Sequence, residues 1–449
     1  MIAGVGPRLR QWRADLLAAF WLRPAAMTLA AVLLAEALVR TENAFDLPDP
    51  FGAWVYAGGV AGARDVLGSV AAATIGVAGT TFSITVAALT LASTQMGPRL
   101  LRNFTRDPGN QYALGALLAT FAYSLVALRS VHEAEEGAFV PQVAVSVALL
   151  LAFACVGVLI WFIHHVATSI SVDRVVALVS ADLSAALAAL TTGPGGDPPA
   201  PPAGGTPEEE TGAPLRAPGR GGYLRVLDDD ALADWAGGAD ARLRLRVRPG
   251  DFVFPGATIG AVWPGGLRDA AQCALDGAMT LGDARSATQD VEFLVRQLVE
   301  VGLRALSPGV NDPFTAIAVL DRLGGALCSV AGRRLPDGRT IRGGRTRLER
   351  PATGYAGLAD AMFHPLRQAA ADQPAVSIRL LEVLAEVLAV ERDAARQAEL
   401  HRHADLARDV ALSSARDASV VDAVRLRHAA VPRAGGGGPD GAGRCGDAA

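Results

Sequence analysis

LGSVAAATIGVAGTTFSITVAALTLASTQMGPRLLRN, residues 67–103, decides the fold of this chain. From Leu67 to Gln95 it runs 29 residues without Asp, Glu, Arg or His, and Lys is absent from all 449 residues. At about 1.5 Å of rise per residue those residues make a helix of roughly 43 Å, longer than the ~30 Å hydrocarbon core of a bilayer. The stretch therefore predicts a membrane-spanning helix. Ser69, Ala73, Gly76, Thr80, Ser83, Ala87, Thr90 and Thr94 recur at steps of three or four, which places them on one side. Each is small or carries a hydroxyl. Two readings of this side stand open: close helix packing, with hydroxyls bonded back to their own backbone, or a polar path for a permeant species, with Gly76, Thr80, Ser83, Thr90 and Thr94 as its lining. Gly97-Pro98 stops the helix, and Arg99, Arg102 and Arg106 give it a basic exit.

Working outward, residues 1–23 hold Arg8, Arg10, Arg13 and Arg23 with Trp12 and Trp21, an interfacial lead-in. Pro24–Val39 predicts the first span; a signal peptide is the rival reading, because Ala35-Glu36-Ala37 mimics a cleavage site. Tyr112–Leu128 and Val140–Ile163 predict two more. Arginine gathers at the N-terminus and in the 96–111 loop, whereas the 41–66 and 129–139 loops are acidic. The positive-inside rule then predicts four spans in the cell membrane with both termini in the cytoplasm. Glu36, the acid within a span, sits one turn from Arg40 and is expected to pair with it at the interface. His164 and His165 are adjacent, so they cannot chelate one metal as an i,i+4 pair would, and they fit an interfacial anchor.

The expected fold class is an α-helical integral membrane protein with four transmembrane helices, followed by a cytoplasmic α+β domain. Residues 1–170 form the membrane domain. An exit helix and a Pro/Gly-rich linker follow over 171–221, then a small β-barrel-like segment over 222–266. Residues 267–430 form a helical cytoplasmic domain, and the Gly-rich 431–449 tail is expected to be disordered. Arg242-Leu243-Arg244-Leu245-Arg246-Val247-Arg248 alternates strictly, predicting a strand with Arg242, Arg244, Arg246 and Arg248 on one face. That face is a candidate contact for an anion or a lipid headgroup; solvated surface is the alternative. Asp228–Asp230 predicts the cap of a short helix ending near Trp235. Gln289–Leu306 predicts a helix with Glu292, Arg296, Glu300 and Arg304 along its solvent side, and Val376–Leu400 a long helix suited to bundle or oligomer packing. His401 and His403 read as solvated surface.

Several chemistries are excluded. Without lysine there is no Walker-A lysine, no Schiff base and no lipoyl or biotinyl attachment site. The four cysteines (Cys155, Cys273, Cys328, Cys445) are scattered without metal or disulfide spacing. A net charge of −4 gives no general attraction to nucleic acid. A nucleophile constellation, a metal site and a phosphate loop are missing, so neither catalytic residue nor cofactor nor metal is assigned, and an enzyme is not expected.

Ser307-Pro308-Gly309 ends one helix, and Asp312 is a natural N-cap with Pro313 at the first position of the next. Ser307, Asn311 and Asp312 thus mark a tight corner. The string SPGVNDPFTA, the preceding QDVEFLVRQLVEVGLRAL, the stretch TFSITVAALTLASTQMGPRLLRNF and the string FIHHVATSI together resemble a bacterial family of predicted membrane proteins with a domain of unknown function. The resemblance covers most of residues 15–420, except the proline-rich insert, and implies membrane location and this domain order. Two functions fit: an oligomeric channel or transporter gated by its cytoplasmic domain, or a membrane-anchored sensor or scaffold. The expected partners are the lipid bilayer and further copies of the chain.

Overall fold

A computed structural model describes residues 20–44, 56–96, 107–134, 137–169, 171–194 and 212–432. The arginines of the 1–19 lead-in, the 97–106 exit and the tail beyond 432 lie outside the described residues. The chain divides into two compact units, Met1–Arg174 and Val175–Ala449.

The first unit contains α1 (Leu22–Ala44), α2 (Val60–Met96), α3 (Pro108–Ser130) and α4 (Gln142–Ser169), with a short hairpin of β1 (His132–Ala134) and β2 (Gly137–Phe139) before α4. All four helices are long and apolar enough to cross a membrane. Helix α3 packs against each of the other three. Gly115 permits that approach, since a Cβ there would sit 2.6 Å from the Met27 sulfur and 3.2 Å from Pro24 Cα. Tyr123 donates its hydroxyl to the Ala144 carbonyl at 3.0 Å, tying α3 to α4. Leu29, Leu33, Leu150, Phe153 and Ile160 point outward, a pattern that only a nonpolar surrounding tolerates.

The ends of these helices are closed by charged side chains. Asp107 caps α3 through the Gly109 N–H, and its other oxygen lies 2.6 Å from His165 Nε2. Trp161 stacks on that imidazole. At the opposite end Glu42 accepts from the first N–H groups of α4, Val143 at 2.6 Å and Ala144 at 3.2 Å. Glu36 pairs with Arg40 at 2.9 Å, as its one-turn spacing predicts, and also with Arg129 at 3.1 Å.

The second unit begins within α5 (Val172–Leu190), whose Val176, Val179, Leu183 and Leu187 are buried. Next come β3 (Thr192–Pro194), β4 (Ala213–Arg216), β5 (Gly222–Leu227), α6 (Asp229–Gly238), β6 (Arg242–Leu245), β7 (Phe252–Val253), β8 (Thr258–Trp263), α7 (Arg268–Ala278) and β9 (Met279–Gly282). A helical part follows: α8 (Val291–Ala305), α9 (Pro313–Val330), α10 (Tyr355–Ala369), α11 (Pro374–Val390), α12 (Ala394–Ser414) and α13 (Ala418–Ala429), interrupted by β10 (Arg333–Arg334), β11 (Arg339–Arg342) and β12 (Arg345–Glu349). The strands form a five-stranded sheet in the order β11-β12-β6-β8-β4 and a three-stranded sheet in the order β7-β5-β9. Leu215, Leu224, Leu243, Val253, Ile259, Leu275 and Leu348 are among the residues of the core these strands share with α6 and α7. Asp228 caps α6, as predicted, accepting from Ala231 N–H at 3.0 Å. Helix α9 is also long and apolar enough to cross a membrane. Its Val319, Leu320, Leu323 and Leu327 are instead fully buried within this unit.

Several expectations need correction. The strand at 242–248 stops at Leu245, because Asp251 accepts the Arg248 N–H at 2.9 Å and Gly250 turns at φ +99°. The helix expected over 376–400 is two helices. Buried Glu391 accepts the N–H groups of Arg392 and Asp393, which turns the chain, and Asp393 then caps α12. The 333–349 strands were not foreseen; Arg342 on β11 bonds Asp230 and Asp234 of α6 at 2.6 Å each, and Arg350, just past β12, bonds Asp229.

His403 is not solvated: it is 1 % exposed, against the Phe363 ring, with Asp360, Glu399, Arg367 and Arg402 as its charged neighbours. Burial pushes its pKa from 6.5 down to about 4, and Arg402 adds to that. The unfolded chain therefore binds a proton that the folded one refuses between those values. This contribution is intact above pH 6.5 and is lost as pH falls through 4, up to roughly 3 kcal/mol. His403→Gln should flatten the fall in melting temperature of the second unit over that window; an unchanged pH profile would show that His403 protonates freely.

Candidate functional site

On α2 the side chains of Ala63, Leu67, Val70, Ala71, Thr74, Ala78, Thr81 and Thr85 are buried against the bundle. At about 100° per residue, the run of Ser69, Ala73, Gly76, Thr80, Ser83, Ala87 and Thr90 lies diametrically opposite. Every one of those seven is exposed. A Cβ added to Gly76 or Gly79 would meet nothing within 4 Å. The hydroxyls of Thr80, Ser83 and Thr90 donate to carbonyls one turn back, at 3.2, 2.9 and 3.0 Å. Thr94 belongs to the same helix, but its side chain lies outside the described ones. The structure thus brings the candidate path residues together on a face that the chain's own described helices leave open.

The four arginines do not act as one face. Arg242 and Arg244 reach Glu349 at 3.2 and 3.8 Å, across the parallel pair of β6 and β12. Arg248 bonds Glu292 and Thr353 at 2.6 Å each. Glu292, expected on the solvent side of α8, is buried by that contact. Arg246 alone of the four is exposed. The counter-charges come from residues 44 to 107 positions away, so spacing within the strand carried no signal of them.

The corner between α8 and α9 closes through its backbone. Asn311 N–H donates to the Ser307 carbonyl at 2.8 Å, and Asp312 N–H to the Ala305 carbonyl at 2.7 Å. Asn311 takes φ +49°, a left-handed conformation that asparagine tolerates better than most residues. Its side-chain oxygen accepts from Gln373 at 2.8 Å. Asp312 accepts from Phe314 N–H, Thr315 N–H and, at 2.6 Å, the Thr315 hydroxyl. That hydroxyl, with the two backbone donors, holds its carboxyl below the usual range. Ser307 Oγ donates to the Arg304 carbonyl at 2.6 Å, so each residue of the motif has a structural employment. Among the described residues no group of three or more His, Cys, Asp or Glu side chains is placed to hold a metal ion.

A family model described as "Predicted membrane protein (DUF2254)" matches residues 18–386, most of the chain and both units. The chain belongs to this family. Uncharacterized proteins of Mycobacterium tuberculosis strains CDC 1551 / Oshkosh and H37Rv and of Mycobacterium bovis are each 36% identical to it over 342 residues. Those matches cover 72% of this chain and 63% of each relative, so the chain spans less than two thirds of their length. No solved structure matches it significantly.

Removing the cap with Asp312→Ala is expected to cost ~1 kcal/mol, a fall of about 2–4 °C in the melting temperature of the second unit. An unaltered melting temperature alongside lost activity would make Asp312 a functional rather than a structural residue.

Proposed function

We propose that this family member is an oligomeric channel or transporter of the inner membrane, with α1–α4 spanning the bilayer and both termini in the cytoplasm. In this reading the α2 helices of several copies turn their hydroxyl faces toward a shared path, and the second unit gates it. One observation carries the proposal: the small, hydroxyl-bearing side of α2 is the side opposite its buried face. A lipid-facing surface gains from bulky apolar side chains, which α1 and α4 present. The α2 stripe has few, and its i−4 hydrogen bonds leave each hydroxyl oxygen a further lone pair for a permeant. The alternative is a membrane-anchored sensor or scaffold whose second unit binds a ligand or partner, for which a free basic strand face would be one contact. Three of the four strand arginines are instead paired within their own unit, so the path is the better-supported function.

Leucine at Thr80 or Ser83 should reduce K⁺ or Cl⁻ flux through proteoliposomes at least about tenfold, by replacing a polar lining with an apolar plug. Because these positions are open in the single chain, the substitutions should leave its own fold intact. Flux equal to the wild type, with the oligomer's mass unchanged, would reject the role of α2.

A further inference from the structure

On the edge strand β7 the alternation of side chains runs opposite to a soluble surface. Val253 is buried in the sheet core, while Phe252 and Phe254 on either side of it are 47% and 66% exposed. Tyr223 on β5 meets Phe252 edge-on at 5.1 Å, and Phe252 meets Phe254 in the same manner at 5.1 Å. Three rings therefore form one contiguous outward cluster. Single exposed apolar residues are ordinary, but a contiguous aromatic patch on a strand edge signals a surface that is covered in use.

The segment 216–220 runs alongside the same turn. Arg216 donates through Nη1 to the Gly256 carbonyl at 3.3 Å, and Gly256 N–H donates to the Pro218 carbonyl at 3.4 Å. A Cβ on Gly221 would lie 3.0 Å from Pro255, so Arg220 is held beside the turn as well. Arg216 and Arg220 are exposed, and neither forms an ion pair among the described residues. Asp251 accepts the Arg248 N–H, and Asp276 accepts from Gln272, which also bonds the Arg216 backbone.

The geometry points to this edge, Phe252 and Phe254 flanked by Arg216 and Arg220, as a docking surface for a bilayer carrying anionic lipid. Aromatic rings beside unpaired arginines fit the headgroup boundary, where the rings replace lipid contacts and the guanidiniums meet phosphate. A patch of two rings and two cations binds weakly from free solution. Here the first unit tethers it to a bilayer, and the high effective concentration lets so small a surface stay engaged. This surface is separate from the α2 stripe and stands whether or not a path exists there.

The test is hydrogen exchange of the full chain in nanodiscs of phosphatidylcholine, with and without phosphatidylglycerol. Amides of 216–220 and 252–256 are expected to exchange about tenfold more slowly in the anionic discs, while strand 242–245, interior to the other sheet, serves as a fold monitor and stays unchanged. Arg216→Gln with Arg220→Gln, and separately Phe252→Ser with Phe254→Ser, should abolish the difference. Equal exchange of the wild type in both discs would overturn the inference. So would the same slowing produced by inorganic phosphate over phosphatidylcholine discs, since a soluble anion would then suffice.

Discussion

Lipid offers the backbone no hydrogen-bond partner, and the first unit is shaped by that constraint. Its helices satisfy their own amides along their lengths, and charged side chains finish the job at the ends. Asp107 closes the start of α3, and Glu42 closes the start of α4. With the polar work done internally, packing falls to small residues. Gly115 lets α1 lie on α3, and Ala113, Ala127, Ala144 and Ala148 do the same elsewhere. The bulky side chains are thereby released to the outside, where a bilayer is the solvent they match.

Closure of the second unit depends on charge as much as on its apolar core. Arg396, buried with Glu391, donates to the carbonyls of Val330 and Arg333 and lies over the Tyr355 ring. One guanidinium thus joins the end of α9, strand β10, the start of α12 and the start of α10. Arg248 with Glu292 performs a similar task between the strands and α8. Buried ionic pairs of this kind add little net stability, but losing one partner strands the other charge, so they fix which elements meet.

Local signals were legible in the residues. The long uncharged runs mark α1–α4, and Asp228 and Asp312 mark the helix starts they occupy. Glu36 next to Arg40 announces its pair. What stayed hidden depends on residues far apart in the chain. Nothing in 242–248 points to Glu349 or Glu292, and nothing in 376–400 shows that Glu391 will turn its carboxylate onto the two following amides. The hydroxyl stripe of α2 is plain in the sequence, yet which way it faces is decided by α3 and α4.

The proposed function depends on a first unit embedded in lipid, and it requires the second unit to lie on the cytoplasmic side. The most direct measurement is a pair of C-terminal fusions in living cells, one to a green fluorescent protein that matures only in the cytoplasm and one to an alkaline phosphatase active only outside it. A fluorescent first fusion with a silent second is the expected result. Active phosphatase with a dark fluorescent fusion would contradict it.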